Sequence, residues 1–563
     1  MTFKDFEYQR ITLDQIEAFY QEKLPLLKEA ADTATFMQLF NEINQYRGHV
    51  MTMATLCSIR HSIDTADQFY DQENDYWDAL LPNVQVYETE FMAVCLDTPL
   101  KEELPIPATF FKLAENARRA FSPAIVADLQ EENRLSSEYD KLKASAKIVY
   151  DGVTYNLASI APKLMDPSRQ VRKEAFGAVC AFYAENEERF DELYDQLVKV
   201  RDRIAKKLGF KSFTELGYVR MNRLDYDQDM VAQYRKEILK TIVPLVDEIN
   251  AQQAARIGVD KLACYDLSYQ FKTGNPTPKG DVDELVAAAL KMYTEMSDVT
   301  GSFFKEMVDK QLFDLPTRPN KQMGGYCTDL FDYKLPFVFS NFNKTAGDVD
   351  VLTHETGHAL QSYLTLKTVD IPDVAFPTYE SCEIHSMSME FFAHPWMELF
   401  FGEDKDKYIY YHITSALTFL PYGVLVDHFQ HEVYDHPEMS KEQRKATWRK
   451  LEKMYKPYAD YEEFPILEKG AYFYRQGHIF ASPFYYIDYT LAQVCALQFY
   501  VRMLKKDEKA FADYLQLCRL GGTQSFLELV KTAGLKSPFE EGCLNEVAAT
   551  MMEQLSSIDA RNF

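Results

Sequence analysis

The residues with the clearest chemical spacing lie in the segment DVDVLTHETGHALQSYL (348–364), where His354 and His358 are four residues apart and Glu355 follows the first histidine. On a helix, residues i and i+4 share one face, so two imidazoles can reach the same point. His-Glu-x-x-His on a helix is typical of zinc peptidases, in which the histidines bind the metal and the glutamate is the general base. The alternative is three unrelated polar residues on a solvated helix. The spacing favours a metal and a base.

The residues around this motif indicate a buried helix rather than a solvated one. Apolar side chains recur through the segment at Val351, Leu352, Ala359, Leu360 and Leu364. Gly357 lies between the two histidines, where a glycine costs about 1 kcal/mol relative to alanine. We therefore expect another part of the chain to approach the helix backbone closely at Gly357.

A third metal ligand is needed, because a catalytic zinc takes three protein ligands and keeps one position for water. The segment YESCEIHSMSMEFF (379–392) has Glu380, Glu383 and Glu390 spaced along one face of a second predicted helix. A buried carboxylate needs a partner, and a metal is one. The same helix is apolar over much of its girth, with Ile384, Met387, Met389, Phe391 and Phe392. From spacing alone, any of the three glutamates could be the ligand.

Together these segments resemble the thimet oligopeptidase and oligoendopeptidase F family of zinc metallopeptidases, and most of all its shorter bacterial branch. The resemblance is most specific over residues 324–392. It rests on HETGHALQS, on Glu383 in EIHSMSMEFF 25 residues after His358, and on VDHFQHEVY (426–434) and GHIFASPFYYIDYTLA (477–492). The resemblance implies that His354, His358 and Glu383 bind one Zn²⁺ per chain and that Glu355 is the general base.

Other acidic residues and histidines receive smaller roles. Glu390 matches an acidic position that the family keeps behind the metal, so Glu390 and Glu380 are candidates for orienting a histidine by hydrogen bonding. Asp427 and His431 are also four residues apart, which could suggest a second metal site. A matched third ligand is missing there, so we assign no metal to this pair.

The family also places a histidine and tyrosines on a later segment. The matching residues are His478, Tyr486 and Tyr489, with Tyr485 as an alternative. Tyr486 and Tyr489 are three residues apart and share a helix face, so both hydroxyls could reach one oxygen. The resemblance implies that they and His478 donate hydrogen bonds to the oxyanion of peptide hydrolysis. The alternative for each tyrosine is aromatic core packing.

Composition excludes several classes of partner. The 563 residues carry a formal net charge of −25, which disfavours nucleic acid because phosphates would be repelled. No apolar run approaches the 18 or so residues of a membrane span, and the N-terminal residues lack the pattern of a signal peptide. The nine cysteines are scattered and none forms Cys-x-x-Cys, which indicates reduced thiols. We expect a cytoplasmic protein with no membrane partner, and its oligomeric state stays open.

Helical periodicity dominates the chain and predicts a mainly α fold. Thr12 with Gln15 three residues later predicts a capping box, and residues 167–210 form a long amphipathic stretch ending near Gly209. We expect an N-terminal helical region over 1–160 and a helical catalytic domain over 161–563. The resemblance implies a multi-helix zincin-type peptidase in which the first region walls a deep substrate channel.

One β-rich segment precedes the predicted metal helix. Residues of about 322–345 are expected to form a small sheet, with PFVFSNF as its exposed edge strand. Extended peptides bind by adding a strand to such an edge. Gly324 and Gly325 would let a loop approach the backbone of a bound peptide closely.

The function that follows is a zinc-dependent endopeptidase. It would hydrolyse internal bonds of short unstructured oligopeptides through a zinc-activated water, with Glu355 as base. A helical zinc carboxypeptidase is the first alternative, and it would need a basic group such as Arg475 to hold the substrate's C-terminal carboxylate. A catalytically silent helical peptide-binding protein is the second.

Overall fold

The protein forms two compact units, each assembled from three separate parts of the chain. In this computed structural model, residues 1–461 and 463–563 are described. The first unit comprises Met1–Arg118, Thr277–Lys405 and Cys495–Leu535. The second unit comprises Arg119–Pro276, Asp406–Val494 and Lys536–Phe563.

Helices account for most of the described residues, which confirms the predicted mainly α fold. The helices of the first half are α1 Leu13–Lys28, α2 Thr33–Ile63, α3 Gln68–Asp97, α4 Ala108–Ala120, α5 Val126–Ala144, α6 Ala161–Leu164, α7 Arg169–Glu185, α8 Glu187–Lys207, α9 Phe213–Arg220, α10 Gln228–Glu237 and α11 Val243–Ile257. Those of the second half are α12 Val282–Met296, α13 Asp298–Asp309, α14 Gly347–Thr365, α15 Pro372–Ala375, α16 Tyr379–Phe392, α17 Glu398–Phe401, α18 Lys405–Asp435, α19 Lys441–Tyr455, α20 Pro465–Glu468, α21 Gly477–Ala481, α22 Tyr486–Leu504, α23 Ala510–Leu520, α24 Phe526–Thr532 and α25 Cys543–Ser557.

Local signals explain where several helices begin and end. At α1 the Thr12 side chain accepts from the Gln15 backbone N–H, and the Gln15 side chain accepts from the Thr12 N–H, so the predicted capping box forms. The amphipathic stretch 167–210 is divided at Asn186, between α7 and α8. Gly209 has a φ of +85°, as expected of a residue that ends a helix.

The strands lie in two small sheets. A hairpin in the second unit pairs β1 (Ile148–Tyr150) with β2 (Val153–Tyr155), and it was not predicted. In the first unit, β3 (Phe313–Pro316), β4 (Tyr326–Leu330) and β5 (Leu335–Phe342) form a sheet of order β3–β5–β4. β5 is parallel to β3 and antiparallel to β4.

The sheet corrects one prediction. The segment PFVFSNF lies in β5, which is the central strand, so it is not the edge strand we expected. β5 is buried along nearly its whole length, as is usual for a strand covered on both faces. The edge nearest in sequence is β4, which follows Gly324 and Gly325.

A single stretch among the described residues, Glu398–Asp435, has the length and hydropathy of a membrane span. However, 67% of its most apolar window is buried inside the fold. The core helix of a globular protein meets the same criterion, so this stretch is weak evidence for a membrane segment.

Candidate metal centre and catalytic residues

Helix α14 carries His354, Glu355 and His358, and the chain before it is fixed by Asp348. The two Asp348 carboxylate oxygens accept from the backbone N–H groups of Asn343 and Lys344 at 2.9 and 2.7 Å. These bonds hold the turn that joins β5 to α14. The sheet and the metal helix are thereby linked by a short, hydrogen-bonded connection.

Helices α14 and α16 pack closely at Gly357, as the sequence predicted. A Cβ atom at Gly357 would lie 2.6 Å from the His385 carbonyl oxygen and 2.7 Å from the Ser386 Cα. The same His385 carbonyl accepts from the Tyr514 hydroxyl of α23 at 2.8 Å. Only glycine allows this approach, which brings the α16 backbone next to the two α14 histidines.

The approach places Glu383 of α16 beside both histidines. Glu383 Oε2 lies 3.4 Å from His354 Nε2 and 3.6 Å from His358 Nε2. One donor atom from each of the three residues lies within 4.8 Å of the others. Within residues 1–461 and 463–563, this is the group of His, Cys, Asp and Glu side chains with the geometry of a metal site.

The other two glutamates of α16 have different surroundings. Glu390 Oε1 lies 2.7 Å from His354 Nδ1, on the ring edge opposite the Nε2 that faces Glu383. Glu380 lies in the first turn of α16, where its Oε1 accepts from the Thr378 hydroxyl at 3.0 Å. Glu390 and Glu380 were both proposed to orient a histidine, and of these two Glu390 contacts a histidine directly.

Glu383 and His354 shift each other's pKa values. Burial alone would raise the pKa of Glu383, but hydrogen bonds from His354 and His358 lower it well below its usual range. Burial would lower the pKa of His354, and hydrogen bonds to Glu383 and Glu390 raise it well above its usual range. Ser386 Oγ also donates to Glu383 Oε2 at 3.0 Å. The site therefore holds Glu383 as a carboxylate.

Two residues near the metal cluster were missed in the sequence. Cys382 Sγ lies 3.2 Å from His358 Nδ1, so the second histidine is oriented by a thiol where the first is oriented by a carboxylate. On β4, burial raises the pKa of Asp329. Only the position of Cys382 next to Glu383 in sequence could have indicated its role.

The donor set fits zinc. Two imidazoles and one carboxylate are a common set for catalytic zinc, with a fourth position left for water or substrate. A hydrogen-bond partner on the second ring nitrogen fixes each imidazole's tautomer and orientation, and Glu390 and Cys382 occupy those positions for His354 and His358. With a metal bound, Nδ1 of each ring would keep the hydrogen that it shares with its outer partner, and Nε2 would supply its lone pair to the metal.

Glu355 is 9% exposed and lies on α14 directly after His354. Burial raises the pKa of the Cys327 thiol on β4, and the negative charges of Asp329 and Glu355 raise it further. Helix α14, which carries Glu355, packs against β4, a strand at one edge of the sheet. That is where a base would be needed if a peptide pairs with this edge.

His478 and three tyrosines form a cluster within the second unit. The ring centroid of His478 lies 5.6, 4.9 and 5.8 Å from those of Tyr485, Tyr486 and Tyr489. Gln476 Nε2 lies 2.8 Å from His478 Nδ1. The Gln476 amide oxygen accepts from the Tyr422 hydroxyl at 2.8 Å, so its amide nitrogen is the group that donates to His478.

This cluster is built to donate hydrogen bonds. Because Nδ1 of His478 accepts from Gln476, the neutral ring carries its hydrogen on Nε2. Burial, and then the positive charge of Lys143, lower the pKa of His478 and favour that neutral form. Burial raises the pKa of Tyr486, which keeps its hydroxyl protonated. The structure brings these predicted residues together within their unit.

Asp427 and His431 are held by protein groups. Arg235 Nη1 lies 3.0 Å from Asp427 Oδ2, and the Tyr218 hydroxyl lies 3.0 Å from His431 Nε2. Burial would raise the pKa of Asp427, but His431, Arg235 and Arg223 lower it below its usual range. An arginine thus supplies the positive charge that this acid requires.

Comparison with known proteins identifies the family of this chain. The sequence pattern of peptidase family M3 matches residues 164–549, and that of the peptidase M3 N-terminal domain matches residues 3–121. A solved structure of PZ peptidase A with an inhibitor is 48% identical, covers 99% of this chain and 100% of its own, and superposes with a TM-score of 0.92.

Curated relatives are more distant. Oligopeptidase PepF of Bacillus subtilis (strain 168) is 21% identical over 405 residues, which cover 70% of this chain and 58% of PepF. An oligoendopeptidase F homolog of Borreliella burgdorferi is 23% identical over 391 residues, covering 66% of this chain and 62% of that protein. The chain thus spans less than two thirds of these two relatives. With a family pattern matched over most of its length and a metal cluster of the expected composition, the chain belongs to peptidase family M3.

Proposed function

We propose that the protein is a zinc-dependent endopeptidase that hydrolyses internal bonds of short, unstructured peptides. The observation that carries this proposal is the convergence of His354, His358 and Glu383, with Glu355 on the same helix turn. When bound there, a zinc ion would polarise the scissile carbonyl and acidify a water molecule. The chain's own residues supply the remaining tasks.

Proton transfer is assigned to Glu355. A general base must lie within hydrogen-bond reach of the proton that it removes, and Glu355 is adjacent in sequence to the first ligand. The geometry that supports this role is the packing of α14, which carries Glu355, against β4. The same carboxyl group could then return the proton to the leaving amine.

Binding of the peptide is assigned to β4. Within the described sheet, β4 pairs with β5 alone, so its other edge is available for an added strand. Backbone hydrogen bonds at this edge would hold many sequences, because they do not depend on side chains. Gly324, with a φ of +103° and open space around its Cα, leads the chain into β4.

Stabilisation of the oxyanion is assigned to His478 and Tyr486, with Tyr489 as a second donor. Their support is the resemblance of the segment and the hydrogen-bond state of the cluster, in which His478 Nε2–H and the Tyr486 hydroxyl are donors. Tyr486→Phe should lower kcat by about 10²-fold with little change in KM. Tyr489→Phe and His478→Ala should be measured beside it, because they show whether a neighbouring residue stabilises the oxyanion instead. A kcat within about threefold of wild type in all three would remove these groups from the mechanism.

The experiment that tests the whole proposal combines metal analysis with cleavage of an internally quenched peptide whose two ends are blocked. We expect about one zinc per chain, loss of cleavage with a chelator and recovery on adding zinc. Glu355→Gln should retain the metal and lose activity by about 10²- to 10⁴-fold. Full activity in metal-free protein would contradict the proposal.

The blocked ends also decide between the two enzymatic alternatives. A carboxypeptidase needs a free C-terminal carboxylate, so it would leave the blocked peptide intact while cutting its free-acid counterpart at the last bond. The family resemblance further implies an enclosed channel, a cytoplasmic location and rejection of folded proteins. Rapid cleavage of a stable folded protein at an internal segment would contradict the channel.

A further inference from the structure

Two cations of the second unit lie against one tyrosine ring. Arg475 Nη1 donates to the Tyr472 hydroxyl at 2.9 Å, and Arg475 Cζ lies 4.8 Å from the centre of the Tyr472 ring. Lys456 Nζ lies 4.9 Å from the same centre. Two positive charges on one ring repel each other, so the arrangement would be stabilised by an anion.

Neither cation has a carboxylate partner among the residues that the structure describes. Among residues 1–461 and 463–563, no Asp or Glu oxygen lies within 4.0 Å of the Lys456 ammonium or the Arg475 guanidinium. Glu452, one turn before Lys456 on α19, accepts instead from Arg449 and from the Tyr461 hydroxyl. The chain has 86 acidic and 61 basic residues, so two cations against one ring with no carboxylate partner in the described part of the chain are unexpected.

Burial makes the unpaired state costly at Lys456. This residue is 5% exposed, and a buried ammonium ion is normally paired with a carboxylate or hydrogen-bonded. Its surroundings are the rings of Tyr422, Tyr458 and Tyr472, with centres 5.5, 5.9 and 4.9 Å from Nζ. Cation–π contacts offset part of the lost hydration but carry no full negative charge.

Arg475 and Tyr472 supply accessible donors. Arg475 is exposed, and a guanidinium has five N–H groups, of which the bond to Tyr472 uses one. The Tyr472 hydroxyl accepts that bond, so its own hydrogen can be donated to another group. Lys143 Nζ donates to the backbone oxygen of Arg475 at 3.2 Å and adds a third positive charge to this segment.

The cation pair is continuous with the His478 cluster. Tyr422, whose ring contacts Lys456, also lies 5.8 Å from the Tyr486 ring, centre to centre. Its hydroxyl donates to Gln476, which in turn donates to His478. One tyrosine therefore separates the unpaired cations from the groups to which we assign the oxyanion.

We propose that Arg475, Lys456 and Tyr472 form a binding site for a carboxylate group of the peptide substrate. The ligand is a carboxylate because a planar guanidinium matches it with two parallel N–H···O bonds, while an ammonium and a hydroxyl complete its shell. Its source is either the free C-terminus of the peptide or a Glu or Asp side chain. This site rests on the proposed function in one respect, namely that the substrate is a peptide.

The test uses three quenched peptides of one sequence. The first has an amidated C-terminus and a Gln at one internal position, the second has a free C-terminus with the same Gln, and the third is amidated with Glu in place of Gln. We expect kcat/KM to be about tenfold higher for one of the two anionic peptides than for the neutral one. Preference for the second peptide identifies the terminal carboxylate, and preference for the third identifies the side chain.

Variants assign any preference to these residues. Arg475→Gln and Lys456→Met should each bring the ratio of anionic to neutral kcat/KM close to 1. Lys450→Met is the matched control, since Lys450 is an exposed lysine of α19, the helix that ends directly before Lys456, and it should leave the ratio unchanged. If Lys456→Met fails to fold, Arg475→Gln still decides, because Arg475 is exposed.

Measurements of peptide affinity test this site independently of the proposed peptidase activity. Dissociation constants of the three peptides, measured by calorimetry on Glu355→Gln protein, should show the same preference without any cleavage. If wild-type protein cuts none of the peptides and this preference persists, the activity is wrong and the site stands. Equal affinities and equal kcat/KM values for all three peptides, or a preference that survives in Arg475→Gln, would overturn the site.

Discussion

Helices α14 and α18 each place a histidine four residues from another metal-binding side chain, and they use it in opposite ways. On α14, His354 and His358 converge on Glu383 from a second helix. On α18, Asp427 and His431 converge on Arg235 and Tyr218. The spacing within each helix is the same, so the difference arises from what the neighbouring helix contributes.

The neighbouring helix contributes a carboxylate beside α14 and a guanidinium cation beside α18. Glu383 adds a carboxylate to two imidazoles, which completes a donor set of the kind that binds zinc. Arg235 brings a permanent cation to Asp427, which satisfies the carboxylate. A motif of two residues on one helix therefore specifies a face, and the third residue decides whether that face binds a metal.

The largest effect is expected from removing that third residue on α14. Glu383→Gln takes away the carboxylate donor, so bound zinc should fall to substoichiometric levels and peptide cleavage should be lost with it. Zinc per chain after dialysis against a weak chelator is the measurement. If Glu383→Gln kept its zinc while Glu355→Gln lost it, the roles of ligand and base would be reversed.

The matched change on α18 should leave zinc untouched and lower stability. Asp427→Asn breaks a buried ion pair, which typically costs about 3–5 kcal/mol because Arg235 is left without its partner. Urea unfolding with zinc analysis on the same samples tests this. Loss of zinc from Asp427→Asn with unchanged stability would show that α18 also holds a metal.

The contribution of the Asp427–Arg235 pair to folding stability depends on pH. The pKa of Asp427 is lower in the folded chain than its value near 3.8 in the unfolded chain. Its stabilising contribution is therefore complete above pH 3.8 and is lost as pH falls toward the folded pKa. Asp427→Asn should unfold with a weaker dependence on pH below about 4 than wild type. Parallel curves for the two proteins would contradict the ion pair.

Much of this contrast was visible in the sequence, but its deciding residues were not. The His354 and His358 spacing, the helix of Glu383 and the close approach at Gly357 all follow from local patterns. Arg235 lies 192 residues from Asp427, and no local pattern connects them. From spacing alone, Glu380, Glu383 and Glu390 were equivalent, because periodicity specifies a helix face and not its distance from a second helix.

The prediction of secondary structure failed where tertiary contacts override the periodicity of the sequence. The apolar period runs through Asn186 without interruption, yet the backbone there turns to a φ of −108° and a ψ of 11° and separates α7 from α8. The sequence predicts PFVFSNF as an edge strand because it directly precedes the metal helix, yet β5 is the central strand. Its central place depends on pairing with β3, a four-residue strand that is too short to be predicted.

Helix packing provides a further, smaller test of the α14 site. Gly357→Ala would place a methyl group 2.6 Å from the His385 carbonyl oxygen, and overpacking of this kind costs about 1–3 kcal/mol. Because α16 must move, the zinc dissociation constant should rise as well. Gly177→Ala in α7 is the control, since the nearest atom to its new methyl would be 3.5 Å away and alanine favours a helix. Equal stability of the two variants would contradict the close approach.

The smallest effects on zinc binding are expected from the residues that contact Nδ1 of the two α14 histidines. The partner of His354 Nδ1 is the carboxylate of Glu390, whereas the partner of His358 Nδ1 is the sulfur of Cys382, which is a weak acceptor. Glu390→Gln should weaken zinc binding by about 10- to 100-fold, as is usual when such a partner is lost. Cys382→Ala should weaken it only a few-fold, and Cys382→Ser, which keeps an acceptor, should weaken it less than that. Zinc dissociation constants from competition with a chromogenic chelator give all three values without reference to activity. If Cys382→Ala matched Glu390→Gln, the thiol would contribute as much as the carboxylate, and the charge of the outer partner would not be what orients these ligands.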